Sequence, residues 1–85
     1  MITREYTIFA PEGMHARPAT ALVKLARQFQ SDILLKKGSK EVKINSLLNI
    51  MSMGIKGGEA ISLSVEGVDE AGAAEALDAF FRTAW

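Results

Sequence analysis

Hydrophobic and polar residues alternate along four segments of the chain, and this alternation predicts four β-strands. The segments are residues 3–9, 32–36, 41–44 and 60–66. In the last one, Ile61, Leu63 and Val65 are separated by polar residues, as expected for a strand with one face against a core and the other in water. Residues 37–40 include a glycine between the second and third segments, which predicts a hairpin there.

Two longer segments repeat apolar residues at steps of three and four, the spacing of one face of an α-helix. The first stripe contains Ala19, Leu22, Val23, Ala26 and Phe29, and the second contains Ala73, Leu77, Phe80, Phe81 and Ala84. The first helix is predicted to start at Ala16. Asp69 is predicted to cap the second helix, and Glu70 suits the positive end of its dipole.

A shorter helix of about two turns is predicted between the third and fourth strands. Asn45 and Ser46 offer capping oxygens before it, and Gly54 is suited to the left-handed turn that would end it. The order of elements is therefore βαββαβα.

Strands with one polar face predict an antiparallel sheet that helices cover on one side and that faces water on the other. The predicted fold class is α+β, an open-faced β-sandwich, and we expect residues 1–85 to form one domain. The periodicity leaves the strand order open, because a ferredoxin-like arrangement would show almost the same succession of elements.

The 85 residues contain ten basic and ten acidic side chains, one histidine and no cysteine. This composition excludes disulfides and thiolate metal sites, and one histidine alone cannot form a zinc site, so we expect no metal and no cofactor. A net charge of zero gives no reason to expect a nucleic-acid partner. Residues 1–5 lack a signal-peptide pattern and no apolar run approaches the roughly 18 residues of a membrane span, so we expect a cytoplasmic protein without membrane insertion.

The single histidine, His15, lies just before the first predicted helix, where unpaired N–H groups favour an anion. A neutral imidazole nitrogen can accept a phosphoryl group, and an imidazole with its ordinary pKa of about 6.5 is mostly uncharged at cytoplasmic pH. The amides of Ala16 and Arg17 and the Arg17 guanidinium would stabilise the phosphate, while Gly13 and Pro18 would fix the turn. On local sequence alone, the alternative is an exposed capping histidine followed by a solvated arginine.

Residues 13–19, together with residues 45–54, resemble the HPr family, the histidine-containing phosphocarriers of the bacterial sugar phosphotransferase system. The resemblance covers the whole chain and implies a four-stranded antiparallel sheet in the order 1-4-2-3 with three helices on one face. It also implies that phospho-Enzyme I hands a phosphoryl group to His15, which passes it to sugar-specific Enzyme IIA domains. Such a protein is a phosphorylated intermediate rather than a self-sufficient enzyme, and we expect a monomer.

The resemblance also implies a docking surface. In the family the exposed face of the short helix contacts partners, and Leu47, Leu48 and Met51 match it here. A two-turn helix cannot bury all of its apolar residues, which favours docking for these three, although some could belong to the core. Positive residues on the first helix meet acidic partner surfaces in the family. Lys24 and Arg27 stand there in this chain, and the alternative for both is a solvated helix face.

Ser46 matches the serine that a dedicated kinase and phosphorylase modify in some bacterial lineages to regulate carbon use. A helix cap explains a serine equally well, and Asn49 stands where the regulated members usually have glycine. Glu12 is another departure, because many relatives have a small polar or amide residue there; we predict that its side chain points away from His15. We have no account of the terminal Trp85.

Two other functions fit parts of the sequence. A paralogue in a nitrogen-related or regulatory phosphotransferase chain would use the same chemistry with other partners. An RNA-binding sheet module also has the order βαββαβ, but it needs aromatic residues on its sheet, and the third strand, residues 41–44, has none.

Overall fold

The computed structural model describes residues 1–83 and contains seven elements in that range. They are β1 (Ile2–Thr7), α1 (Ala16–Ala26), β2 (Asp32–Lys37), β3 (Lys40–Lys43), α2 (Leu47–Met51), β4 (Ala60–Glu66) and α3 (Glu70–Thr83). The predicted order βαββαβα is confirmed. Two residues of the sequence-based predictions, Ala84 and Trp85, lie outside the described residues.

The four strands form one antiparallel sheet in the order β1-β4-β2-β3. This order confirms the arrangement that the family resemblance implies and decides the question that the periodicity leaves open. In the register, Leu35 of β2 lies opposite Leu63 of β4 and Val42 of β3. The α+β open-faced β-sandwich is therefore the fold of this chain.

The core lies on the helix side of the sheet, where the alternating apolar residues of β2 and β4 point. Every helix contributes at least one buried side chain to it. The largest fully buried side chains are Ile8, Leu22, Leu35, Ile44, Ile50, Leu63, Leu77 and Val65. At the β1 edge, the rings of Tyr6 and Phe81 stack with centroids 4.3 Å apart, which ties α3 to the sheet.

The bounds of β1, β2 and β3 differ from the predictions. The hairpin has a two-residue turn, Gly38 and Ser39, instead of the loop 37–40, because both strands extend to the turn and Gly38 adopts a φ of +60°. The first strand runs from Ile2 to Thr7 rather than from residue 3 to residue 9, since its pairing with β4 ends at Thr7, which lies opposite Ala60.

Two residues predicted to cap helices lie at the predicted positions, but their side chains act differently. Asp69 occupies the N-cap position of α3, where its carbonyl accepts the Ala73 amide at 3.0 Å, while its carboxylate accepts hydrogen bonds from the Gln30 and Ser31 amides and from the Ser31 hydroxyl and so binds the loop after α1. Ser46 does occupy the N-cap position of α2, but its side chain makes no capping hydrogen bond. The side chain of Asn49 instead donates to the Lys43 carbonyl at 3.0 Å and so fastens α2 to the preceding strand.

Candidate functional site

His15 is the N-cap residue of α1, with extended backbone angles and an exposed side chain. Its carbonyl accepts the hydrogen bond of Ala19 N–H at 3.1 Å, so the helix begins directly behind the ring. The ring nitrogen Nδ1 lies 3.3 Å from the Gly13 carbonyl oxygen. The imidazole is therefore held at the entrance of the helix and remains accessible to a partner.

The N-terminus of α1 can receive an anion. The amides of Ala16 and Arg17 precede the first α-helical hydrogen bond, and Pro18 has no amide hydrogen. Within the described range, no side chain caps this end and the first turn contains no acidic residue. Arg17 is exposed on the same turn and adds a full positive charge. The structure thus brings Ala16, Arg17 and His15 together at one surface point.

Gly13 permits the tight turn in front of the histidine. Its φ is +72°, and a Cβ atom there would lie 2.3 Å from the Ile55 carbonyl oxygen and 2.7 Å from the Lys56 Cα. Met14 N–H donates to the same Ile55 oxygen at 3.1 Å, and the Met14 side chain is buried. Only glycine allows this approach, and the approach sets where His15 lies.

A second segment, residues 53–59, packs against residues 10–14, the turn that precedes His15 and is called the histidine turn below. Ile8 N–H donates to the Glu59 carbonyl at 2.9 Å, and Gly58 N–H donates to the Ile8 carbonyl at 2.6 Å. Gly57 lies so close to the Ala10 carbonyl that a Cβ atom would be 2.5 Å from its oxygen. Main-chain contacts therefore fix the path of residues 8–14 along this segment.

The short helix α2 exposes the three residues predicted for docking. The exposed fractions are 38% for Leu47, 80% for Leu48 and 42% for Met51, whereas Ile50 and Met53 are buried. The helix thus divides its apolar residues between the core and the surface. Leu47, Leu48 and Met51 are accessible enough to contact a partner, and their docking role stays a prediction.

The two basic residues predicted on α1 differ in their surroundings. Lys24 is exposed and lines a shallow surface cavity with Arg17, Thr20 and Ala21, so it lies on the same face of α1 as Arg17. Arg27 donates from Nη2 to the Asn45 carbonyl at 3.0 Å. That bond gives Arg27 a structural role between α1 and the start of α2, besides any contact with a partner.

Phe9 is not among the site residues predicted from the sequence, although its side chain is 77% exposed. It lines a cavity of about 540 Å³ together with His15, Arg17 and Glu12. The signal in the sequence was the adjacent apolar pair at positions 8 and 9, because an alternating strand can bury only one of them. No hydrogen bond among residues 1–83 joins Glu12 to His15, and the predicted orientation of Glu12 stays a prediction.

The family model described as "PTS HPr component phosphorylation site" matches residues 2–83. Among solved structures, HPr-C-His from Thermoanaerobacter tengcongensis is 37% identical with a TM-score of 0.92, covering 98% of this chain and 93% of that one. The phosphocarrier protein HPr from Bacillus anthracis is 35% identical with a TM-score of 0.86, covering 94% and 95%. Crh of Bacillus subtilis, described as an intertwined, swapped dimer, is 33% identical with a TM-score of 0.76, covering 96% and 94%. None of the helices among the described residues is both long and apolar enough to cross a membrane.

Proposed function

The chain belongs to the HPr phosphocarrier family of the phosphotransferase system, and from this membership we propose that His15 accepts a phosphoryl group from phospho-Enzyme I and passes it to sugar-specific Enzyme IIA domains. The single observation that best supports the proposal is the exposed imidazole at an uncapped helix N-terminus. In this role the protein works in the cytoplasm as a monomer.

Nδ1 is the ring nitrogen best suited to receive the group. It is bonded to Cγ, so a phosphoryl group on Nδ1 lies nearer to the backbone amides than one on Nε2 would. For the attack, the proton must reside on Nε2 and the contact between Nδ1 and the Gly13 oxygen must open, because a lone pair and a carbonyl oxygen repel each other. The bond from phosphorus to the donor then breaks as the bond to Nδ1 forms.

The charge that arrives is nearly two units negative, and the site contains three groups that can stabilise it. The Ala16 and Arg17 amides point out of the helix end, and hydrogen bonds to a charged group contribute about 1.5–3 kcal/mol each. The Arg17 guanidinium can approach the phosphate oxygens in a planar, two-donor geometry that a lysine lacks. Because the group must also leave for the next acceptor, an exposed site with moderate stabilisation suits a carrier.

Partner docking is assigned to the apolar patch of Leu47, Leu48 and Met51, with the positive charges of Lys24 and Arg27 on the neighbouring helix α1. An apolar centre with a charged edge is the usual composition of a small, transient interface. The patch is more than a third exposed at each residue, and α2 packs beside α1, so a partner covering it would also reach His15.

Incubation with phosphoenolpyruvate and catalytic Enzyme I, followed by intact mass measurement, tests the proposal. We expect an acid-labile gain of one phosphate in the wild type and in Ser46→Ala, and none in His15→Ala. A panel of Enzyme IIA domains then identifies the branch, sugar or nitrogen-related. An unlabelled wild type in the presence of an Enzyme I that labels a known HPr would refute the relay, and light scattering would decide the monomer against the dimers seen among relatives.

We propose, second, that Ser46 is a regulatory phosphorylation site. The alternative explanation, that the serine is there to cap α2, has no support from its side-chain hydrogen bonds. The Ser46 hydroxyl makes no capping bond, so capping does not explain the serine. A phosphate there would lie beside the exposed Leu47 and Leu48 and would obstruct docking. Incubation with ATP and an HPr kinase should add one acid-stable phosphate that Ser46→Ala lacks; an unmodified wild type would refute this regulation.

A further inference from the structure

Lys37 and Glu59 form the least exposed of the ion pairs among residues 1–83. Lys37 Nζ lies 3.1 Å from Glu59 Oε1, and the two side chains are 25% and 33% exposed. The same ammonium donates to the Met53 carbonyl at 3.3 Å and to the Gly54 carbonyl at 3.0 Å. All three donors of the ammonium group therefore have an acceptor in the segment 53–59.

Glu59 closes the other end of this segment. Its Oε1 accepts a hydrogen bond from Lys56 N–H at 2.6 Å in addition to the contact with Lys37. The Lys56 amide first, and the Lys37 ammonium second, hold the pKa of the Glu59 carboxyl below its usual range, so the carboxylate is charged at neutral pH. Residues 53–59 are thus fastened at their start by Lys37 and at their end by Glu59.

The fastened segment is the one that supports the phosphorylation site. Between its two ends lies the Ile55 carbonyl, which accepts the Met14 amide directly before His15. The Ile55–Lys56 peptide is also the surface against which Gly13 packs without room for a Cβ atom. A shift of the segment would move this peptide and with it the histidine turn.

We infer that the Lys37–Glu59 ion pair is a positioning pair for His15: through residues 53–59 it holds the turn that sets the imidazole and the first amides of α1 in place. The inference rests on the proposed function, since it concerns the geometry in which His15 receives a phosphoryl group. Neither residue touches the ring. The pair acts by limiting how often the Met14–Ile55 hydrogen bond opens, and a preorganised site transfers a charged group faster.

Two measurements on full-length variants test the pair. The first is amide hydrogen exchange at Met14, followed by NMR. Lys37→Met keeps most of the aliphatic stem but removes the three hydrogen bonds, and we expect Met14 exchange to become about five-fold faster. Lys37→Arg restores a donor that can reach Glu59 and should recover most of the protection. Glu59→Gln should behave like Lys37→Met in direction.

The second measurement is the rate of phosphorylation by phosphoramidate, a small donor that needs no docking surface. As the bond from phosphorus to nitrogen of the donor breaks, the bond to His15 forms and ammonia leaves. We expect Lys37→Met to lower this rate about two- to five-fold. In the double variant with Glu59→Gln, the loss should equal that of Lys37→Met alone, because Lys37→Met already removes the ion pair that Glu59→Gln would weaken.

The chain contains a matched control. Lys43 and Asp32 form a pair of the same type at 3.8 Å with side chains 58% and 75% exposed, and Asp32 begins β2 whereas Lys37 ends it. Among the described residues, neither side chain forms a hydrogen bond or ion pair with residues 53–59. Lys43→Met should leave both measurements unchanged. Equal effects of Lys43→Met and Lys37→Met, or no effect of Lys37→Met on Met14 exchange, would overturn the inference. A wild type that neither donor phosphorylates would refute the proposed function instead, and Met14 exchange would still decide the positioning role.

Discussion

Replacing Gly13 by alanine should destabilise the protein and disable the proposed phosphorylation site at His15, for two separable reasons. At a φ of +72°, an L-residue pays a backbone strain of about 1–2 kcal/mol that glycine avoids. The new Cβ atom would also lie 2.3 Å from the Ile55 oxygen, so backbone must shift, and forced overpacking of this type costs about 1–3 kcal/mol. We therefore expect Gly13→Ala to lower the free energy of unfolding by about 2–5 kcal/mol.

Gly38 supplies the control, because its φ is +60° and an added Cβ atom would meet nothing within 4 Å. Gly38→Ala should show the strain alone, about 1–2 kcal/mol. In a domain of this size each kcal/mol lowers the melting temperature by about 4–8 °C, so thermal unfolding followed by circular dichroism separates the two variants. Phosphorylation by Enzyme I should fail in Gly13→Ala at temperatures where it is still folded, and persist in Gly38→Ala.

The reasoning would be refuted if both variants lost the same stability, since the contact with Ile55 would then contribute nothing. It would also be refuted if Gly13→Ala were phosphorylated at the wild-type rate, since the turn would then not set the position of His15.

Three further predictions concern single side chains. Arg17→Ala should lower the rate constant of phosphoryl transfer about 100-fold with little change in melting temperature, and Arg17→Lys should recover only part of the rate. Rapid-quench kinetics would measure both rates, and an Arg17→Ala rate within a factor of two of wild type would exclude the charge-stabilising role. Leu48→Asp should raise the KM of Enzyme I for this protein about ten-fold at constant kcat. The Leu48 side chain is 80% exposed, so its loss leaves the core intact. An unchanged KM would remove Leu48 from the docking patch. Hydrogen bonds from the Ser31 hydroxyl and from the Gln30 and Ser31 amides lower the pKa of Asp69, so its stabilising contribution is complete above the ordinary carboxyl pKa of about 4 and is lost as the pH falls through the lowered folded value. Urea unfolding should therefore show a stability difference between wild type and Asp69→Asn that is constant above about pH 5 and shrinks towards pH 2, and a difference independent of pH would contradict this assignment.

The sequence was sufficient to predict the elements whose structure depends on neighbours along the chain. Alternation located the strands because one face of each packs on the core, as at Ile61, Leu63 and Val65. The left-handed conformation of Gly54 in the turn after α2 was also predictable, since its φ of +60° is a local property. The strand order came from the family resemblance, because periodicity has no information on which strands pair.

The parts that could not be predicted depend on contacts between distant residues. Asp69 stands in a good capping position for α3, yet its carboxylate binds residues 30 and 31, and nothing near Asp69 in the sequence indicates those partners. The same holds for Lys37 and Glu59, which are 22 positions apart by their numbers and come together only after the sheet and the segment 53–59 have formed. At the candidate site, the residues of the helix entrance were predictable from their motif, whereas the support behind Gly13 was not.

The backbone contacts between residues 8–14 and 53–59 have a consequence for how such a carrier can be retargeted. These contacts use main-chain atoms and glycines, whereas the exposed side chains of α2 take no part in them. Exchange of surface residues such as Leu48 would therefore suit a new recipient while the proposed acceptor nitrogen of His15 keeps its position. Recognition could diversify in this way without any retuning of the chemistry.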